Sequence, residues 1–181
     1  MKFKPCDKET FEKHITDHKD DRFAKTFVSK ANMQGLWENC IGLYEGDELL
    51  GAITYSISKR IPYVCNLQLL HTFQKHRRKG VAKKLCNWLL DYTYENFVTY
   101  LRVSSEIPAI PFYESLGMVM LGEQKSGCQL SACKITSKNF SECEYNVNDP
   151  VIKKMVYRKG KGGCVKVFIE PDKEDSLDEL F

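Results

Sequence analysis

Apolar and polar residues alternate along the middle of the chain in the way that β-strands require. Strands are predicted at 39–45, 49–58, 63–73, 98–104 and 118–124. The first two flank a turn with Gly46 and Asp47 at its centre, which predicts a β-hairpin. After the third strand, apolar residues recur at i, i+3, i+4 and i+7 and predict a helix that packs on the sheet. These residues are Leu85, Trp88, Leu89 and Tyr92.

Two short helices are predicted before the hairpin. Asp7 is placed to cap a helix in which Phe11 and Ile15 fall on one face, and Phe23 and Phe27 repeat that spacing. The order of these segments predicts a mixed α/β fold, because helices and a hairpin precede strands that alternate with helices.

The last third of the chain has a weaker pattern. A short helix is predicted after the fourth strand, with Pro108 in its first turn and Gly117 at its end. The polar stretch 128–149 is expected to be an irregular loop or insertion. Two late strands, at 151–157 and 165–169, are expected to flank the glycine-rich turn between them.

Length and composition favour one domain over residues 1–170. The chain has 181 residues, of which 43% are hydrophobic and 28% charged, and its net charge of +3 does not favour direct nucleic-acid binding. No apolar run reaches the roughly 18 residues that span a bilayer, and the first residues lack an apolar signal segment. We therefore expect a cytoplasmic protein with no membrane partner and an acidic, flexible tail at 171–181.

The eight cysteines do not predict a disulfide framework, because no secretory signal accompanies them. No CxxC pair occurs, and such pairs are typical of zinc sites. Cys128, Cys133 and Cys143 share one polar region, but their spacing supports a metal site poorly. No metal is expected.

The most basic turn of the chain directly precedes the predicted long helix. The run RRKGVAKKL, residues 77–85, brings three cationic side chains to a single glycine. It is either a solvated surface turn or a cradle for a phosphorylated ligand, because a helix start offers free N–H groups and positive dipole charge. The motifs GxxxxGK[ST] and GxGxxG are absent, so neither a P-loop nor a dinucleotide fingerprint is present.

Two motifs resemble the signatures of the GNAT superfamily of acyl-CoA-dependent N-acyltransferases. They are the turn Arg77-x-x-Gly80-x-Ala82 and the segment AIPFYESLGM, residues 109–118. The resemblance covers roughly residues 36–125. It implies a GNAT fold of the α+β type, with a mixed central sheet of about six or seven strands flanked by helices. The implied order is β-α-α-β-β-β-α-β-α-β-β.

The resemblance also implies an activity and a set of site residues. An amine would attack the thioester of acetyl-CoA, or of another acyl-CoA, directly. The backbone of Leu70, His71 and Thr72 would pair with the pantetheine arm, and Ala109 and Phe112 would flank the thiol. The pyrophosphate would be held by Arg77, Arg78, Lys79, Gly80, Val81 and Ala82. Tyr113 matches the residue that usually donates a proton to the departing thiolate.

The chain departs from the family pattern where a general base is expected. Asn66 stands where some relatives carry a glutamate, and Glu106 stands where many carry an asparagine. Glu106 is therefore the candidate base, with His71 behind it. Each of the two catalytic candidates has a structural alternative: Glu106 as a helix-capping carboxylate and Tyr113 as a core residue.

Three functions stay open at this stage. The first is an enzyme that acylates an amine of a small molecule or a protein; the second is a coenzyme A-binding module without turnover. The third concerns SLDELF, residues 176–181, which is similar to the peptides with which replication proteins of T4-like phages hold a sliding clamp. Such a protein partner would tether a DNA-base-modifying enzyme to DNA. A homodimer is also left open.

Overall fold

A computed structural model describes residues 1–17, 22–61, 63–136 and 149–169 of the chain. The strands are β1 Lys2–Pro5, β2 Cys40–Glu45, β3 Glu48–Ile57, β4 Val64–Thr72, β5 Tyr100–Ser105, β6 Val119–Gln124, β7 Gln129–Lys134 and β8 Cys164–Val167. The helices are α1 Lys8–Asp17, α2 Arg22–Gln34, α3 Val81–Glu95, α4 Ile110–Glu114 and α5 Pro150–Val156. Short 3₁₀ helices lie at Trp37–Asn39, Gln74–His76 and Ile107–Ala109.

The strands form one mixed sheet in the order β1-β2-β3-β4-β5-β7-β6-β8. The β4–β5 pair is parallel, and every other neighbouring pair in the described chain is antiparallel. A parallel pair needs a crossover connection, and α3 supplies it. The mixed sheet and the order β-α-α-β-β-β-α-β-α-β-β are confirmed for β1 to β7, and α5 and β8 follow. The sheet has eight strands in all.

Helices cover both faces of the sheet. On one face, α3 and α4 pack on a cluster that includes Leu85, Leu89 and Leu101, so the predicted helical stripe is confirmed. Side chains alternate along β5, so Tyr100 points to the opposite face and joins the cluster under α5. That second face also carries α1 and α2, whose cluster includes Phe11.

The first helix begins where the sequence predicts. Asp7 Oδ1 accepts a hydrogen bond of 2.8 Å from the backbone N–H of Thr10, which is the expected N-cap. Phe11, Ile15 and Phe27 are buried as expected. Phe23 is 53% exposed and therefore does not continue the buried stripe.

Two predictions for the last third of the chain are wrong. Residues 151–157 are not a strand: Pro150–Val156 forms α5, and Asp149 caps it by accepting a 2.8 Å hydrogen bond from Val151 N. The stretch 128–149 is not irregular throughout, because Gln129–Lys134 forms β7 between β5 and β6. The last predicted strand is present as β8. Residues 137–148 and the tail from 170 lie outside the described ranges.

Within the described ranges, no helix combines the length and the apolar character needed to cross a membrane.

Candidate active site

β4 and β5 separate at their carboxyl ends. Their parallel pairing runs from Val64 and Tyr100 to Leu67 and Val103, whereas β4 itself continues to Thr72. The register between β3 and β4 shifts at the same level, so Gln68 is an extra residue in β4. A bulge of this kind bends and twists a strand. The bulge therefore accounts for the cleft between the two strands.

The backbone of β4 directs hydrogen-bonding groups into this cleft. Phe73 N donates to Leu50 O of β3 at 3.1 Å, so residues at even spacing from Phe73, including His71, direct their backbone groups to β3. The alternate residues Leu70 and Thr72 direct theirs into the cleft. Of the three predicted pantetheine contacts, two thus face the cleft and His71 does not.

The basic turn lies at the end of β4 and opens α3. Arg78 has φ +61° and Gly80 has φ +76°, so the backbone enters the left-handed region twice within three residues. Such turns make successive N–H groups converge. Lys84 N is bonded to Gly80 O at 3.0 Å, which leaves the preceding N–H groups of the first helical turn without an intrahelical acceptor. A Cβ at Gly80 would have no atom within 4 Å, so the space over the turn is open.

The turn is held against the β2–β3 hairpin. Lys75 Nζ forms an ion pair with the carboxylate of Glu48, and His76 Nε2 lies 3.2 Å from Glu48 Oε1. The hydrogen bond from Lys75 holds the pKa of the Glu48 carboxyl below its usual value. These contacts orient the turn before any ligand binds.

A continuous groove runs from this turn to the end of β5. One cavity is lined by Thr72, Arg77, Arg78, Gly80, Val81, Ala82, Lys83 and Phe112. The next is lined by Phe23, Leu70, His71, Thr72, Arg77, Glu106, Pro108 and Ala109. Both share Thr72 and Arg77, and Arg77 Nε donates to Thr72 O at 3.1 Å. Arg78 and Lys79 at the mouth of the groove are exposed and make no ion pair with described residues.

Tyr113 is buried behind the wall of the groove. It is 7% exposed and belongs to the cluster under α3, whereas its neighbour Phe112 lines the cavity over the turn. The two rings meet edge to face at 5.1 Å. Burial raises the pKa of the Tyr113 hydroxyl, and nearby Cys86 adds to the shift. The phenol therefore stays protonated at neutral pH.

Glu106 lies where the chain leaves β5 and enters the cleft. It occupies the N-cap of the 3₁₀ helix Ile107–Ala109, but its side chain makes no capping hydrogen bond. Glu106 therefore stands at the helix start, as the capping alternative has it, but does not cap the helix by a hydrogen bond. The exposed carboxylate lines the groove together with Leu70 and His71.

His71, the second candidate for a base, and Asn66, which replaces the glutamate of some relatives, are engaged elsewhere. The His71 ring is buried among Phe11, Phe27 and Phe73, with centroid distances of 5.8, 6.0 and 4.9 Å. Asn66 donates from Nδ2 to Ser56 O at 3.1 Å within the sheet. Glu106 is thus the carboxylate that the cleft itself presents.

Sequence reasoning missed the contribution of α2 to the site. Phe23, Thr26 and Lys30 line a cavity that shares Leu70, His71 and Glu106 with the groove. The Arg77 guanidinium lies 5.5 Å from the Phe23 ring centroid. Phe23 is the one residue in the sequence that could have indicated this wall. Its helical spacing instead assigned it to the core, whereas the structure leaves it exposed.

The cysteines do not form a metal centre within the described part of the chain. No group of three or more ligating side chains occurs there. Cys133 is buried in β7 and Cys128 is half-buried in the preceding turn, while Cys143 lies outside the described residues.

The chain matches a known family over most of its length. The model of the "Acetyltransferase (GNAT) domain" family matches residues 5–134. No curated protein matches the chain.

Three solved structures with the same fold are distant from this chain in sequence. The ribosomal-protein-S18-alanine N-acetyltransferase from Escherichia coli is 18% identical, with a TM-score of 0.55 over 75% of this chain and 94% of that one. The PaiA N-acetyltransferase from Thermoplasma acidophilum, in complex with coenzyme A, is 11% identical, with a TM-score of 0.56 over 72% and 96%. Ard1 from Thermoplasma volcanium is 15% identical, with a TM-score of 0.56 over 75% and 98%.

Proposed function

The chain belongs to the GNAT family of acetyltransferases and is an N-acetyltransferase with an acyl-CoA as co-substrate; we propose that an amine attacks the thioester directly in the β4–β5 cleft. The observation that carries this proposal is the opening of the sheet at Leu67 and Val103, from which β4 continues to Thr72 and leads to the turn that begins α3. An acyl-CoA bound along β4 would place its acyl group where β4 and β5 separate.

Two polar parts of coenzyme A, the pyrophosphate and the amides of the pantetheine arm, would bind along the groove. The pyrophosphate would lie on the N–H groups that open α3, with Arg78 and Lys79 adding charge. The amides of the pantetheine arm would pair with the cleft-facing backbone of Leu70 and Thr72, as an added strand does. The thioester would then reach the divergence point near Glu106.

The transfer requires two proton movements. A lysine-like amine is protonated at pH 7, about three pKa units below its pKa, and deprotonation costs on the order of 4–5 kcal/mol. Glu106, directly or through water, would accept that proton. The amine nitrogen then bonds to the thioester carbon and the carbon–sulfur bond breaks. The departing thiolate takes the proton of Tyr113, and the second proton of the nitrogen passes to the tyrosine in its place. The products are an amide and free coenzyme A.

Replacing Gly80 by valine tests the turn. We expect Gly80→Val to abolish measurable binding of acetyl-CoA in calorimetry, because its side chain would fill the space over the N–H groups. The strain of a left-handed valine costs about 1–2 kcal/mol. Gly35→Val is the matched control, because Gly35 has φ +62° and equally open space. Unchanged affinity in folded Gly80→Val protein would contradict the assignment.

Thiol release distinguishes an enzyme from a binding module. Wild-type protein with acetyl-CoA and a panel of amines should release free coenzyme A at a rate above hydrolysis. Tight binding of acetyl-CoA without turnover on any amine would instead favour a module that keeps the GNAT fold and has lost the chemistry. The sliding-clamp hypothesis depends on residues 176–181, which lie outside the described ranges.

A further inference from the structure

The face of the sheet opposite α3 is the side from which an acceptor can reach the cleft. The cavity over the basic turn lies on the face that carries α3, so the pyrophosphate end of coenzyme A would occupy that side of the opening. The cavity on the other side is bounded by α2 and ends at Glu106. The inference below concerns the acceptor and therefore rests on the proposed function.

A buried cation lies on this acceptor face next to the divergence point. Arg102 is opposite Asn66 in the β4–β5 register, one residue before the pairing ends. Its neighbours Leu101 and Val103 join the α3 cluster, so Arg102 points to the other face. Arg102 is only 9% exposed. No described residue forms an ion pair or a hydrogen bond with its guanidinium.

A second cation approaches from the turn after α5. Arg158 is half-buried, and its Nη1 would lie 3.1 Å from a Cβ at Gly162. Tyr100 of β5 and Val156 of α5 pack in one cluster on this face, and Arg102 and Arg158 each follow two residues later along the chain. Burial lowers the pKa of the Arg102 guanidinium, and the charge of Arg158 lowers it further. Cys164 lies on the same side, because it packs against the cluster that contains Tyr100.

The acid that caps α5 on this face is engaged elsewhere. Asp149 Oδ2 accepts the hydroxyl hydrogen bond of Tyr100, and its Oδ1 accepts from Val151 N. Neither arginine is within ion-pair distance of Asp149. A buried charge without a counter-charge is costly, so a site that keeps Arg102 buried beside a second, half-buried cation is suited to an anion.

We propose that Arg102 and Arg158 bind an anionic group, a carboxylate or a phosphate monoester, that the acceptor carries in addition to its reactive amine. The guanidinium groups can hold either anion through paired hydrogen bonds. Glu106 lies four residues beyond Arg102, about 13 Å along an extended chain. The acceptor is therefore a small amine whose anion lies within roughly that distance of its nitrogen.

Binding to protein saturated with coenzyme A tests this site without any turnover. Calorimetry would compare 6-aminohexanoate with 6-aminohexanamide, and O-phosphoethanolamine with ethanolamine. We expect the anion of at least one pair to bind about 10- to 100-fold more tightly, as charge-assisted hydrogen bonds do. The pair with the larger ratio identifies the group as carboxylate or phosphate.

Two variants test the residues. Arg102→Gln should reduce the preference to within about threefold, while acetyl-CoA affinity stays unchanged. If this buried substitution prevents folding, Arg158→Gln, at the half-buried position, should reduce the preference by part of the same factor. Lys154→Gln on α5 is the matched control, because it removes one charge from an exposed position.

The outcomes test the anion site and the proposed acyl transfer separately. Equal affinity for anionic and neutral amines in wild-type protein, or a full preference in both arginine variants, overturns the anion site. A preference in binding without thiol release from acetyl-CoA supports the anion site and contradicts the proposed function. Turnover of neutral and anionic amines with the same kcat/KM supports the proposed function and contradicts the anion site.

Discussion

Tyr113 is the residue on which the proposed acid step depends, and its surroundings keep its hydroxyl protonated. Burial raises its pKa, so the hydroxyl can serve as a donor throughout the neutral range. Tyr113→Phe removes one oxygen and little volume. We expect turnover to fall by roughly 10- to 10⁴-fold, the range for a lost general acid, while the affinity for acetyl-CoA is nearly unchanged.

The matched control for this substitution is Tyr92→Phe on α3. Tyr92 is a partly buried aromatic residue of the same cluster, and its ring contacts Trp88 and Tyr55, away from the groove. Tyr92→Phe should leave turnover within about twofold of the wild-type rate. If Tyr113→Phe does the same, Tyr113 serves only for packing and another group protonates the thiolate.

Some site residues could be predicted from the sequence because local chemistry fixes them. The spacing of Arg77, Gly80 and Ala82 indicated an anion-binding turn, and that turn has the left-handed geometry at Gly80. The roles within β4 could not be predicted, because backbone direction depends on register. One bulge at Gln68 decides that His71 pairs with β3 while its neighbours face the cleft.

At the scale of elements, local pattern predicted the strands that lie in the middle of the chain. The hairpin β2–β3, the helix α3 and the strand β5 all have regular apolar periods. β7 was missed because polar residues occupy buried positions in it, so the segment lacks the apolar pattern of a buried strand. Gln129 and Ser131 are only 6% and 2% exposed. α5 was mistaken for a strand because Val151, Ile152 and Val156 have high strand propensity, and the capping signal at Asp149 and Pro150 outweighs it.

The packing of α3 against β3 sets the width of the groove. Gly51 lies beneath the end of β4, and a Cβ there would come within 2.5 Å of His71 O and 3.0 Å of Val81 Cγ1. Gly51→Ala should therefore displace the end of β4 or the start of α3. We expect a loss of about 1–3 kcal/mol in the free energy of unfolding, as for overpacked sites. We also expect a measurable fall in acetyl-CoA affinity.

Gly42→Ala is the control that separates stability from site geometry. A Cβ at Gly42 would meet Leu49 Cδ1 at 2.6 Å and Tyr44 Cε2 at 2.7 Å, on β2 and β3 but away from the groove. Gly42→Ala should lower the denaturation midpoint in urea without changing the affinity for acetyl-CoA. If both variants lose stability and neither loses affinity, the close contact at Gly51 does not position the turn.

For the whole molecule, the sheet separates two sets of charges. Arg77, Arg78 and Lys79 lie beside α3, where coenzyme A would bring its phosphates, and Arg102 with Arg158 lies on the opposite face. The net charge of +3 therefore conceals two local cationic sites. Overall charge could not predict either site, because the sign of a pocket depends on which few side chains the fold brings together.

The last prediction concerns residues 172–181, which hold five acids, one lysine and the apolar residues Leu177, Leu180 and Phe181. So few apolar groups cannot form a core of their own. Deleting 176–181 should therefore leave the melting temperature and the acetyl-CoA affinity almost unchanged. A drop of several degrees in melting temperature would mean instead that these residues pack on the sheet and stabilise it.

The same deletion tests the docking hypothesis when a purified sliding clamp of a T4-like phage is the partner. We expect the full chain to bind the clamp in calorimetry and the truncated chain not to bind. Phe181→Ala should have nearly the same effect, because a buried aromatic residue carries most of the affinity of such peptides. Ser176→Ala is the matched control and should bind like wild type.

The acidic residues mainly accelerate encounter with a basic groove, so added salt should weaken binding without abolishing it. Equal clamp affinity with and without residues 176–181 would contradict the hypothesis.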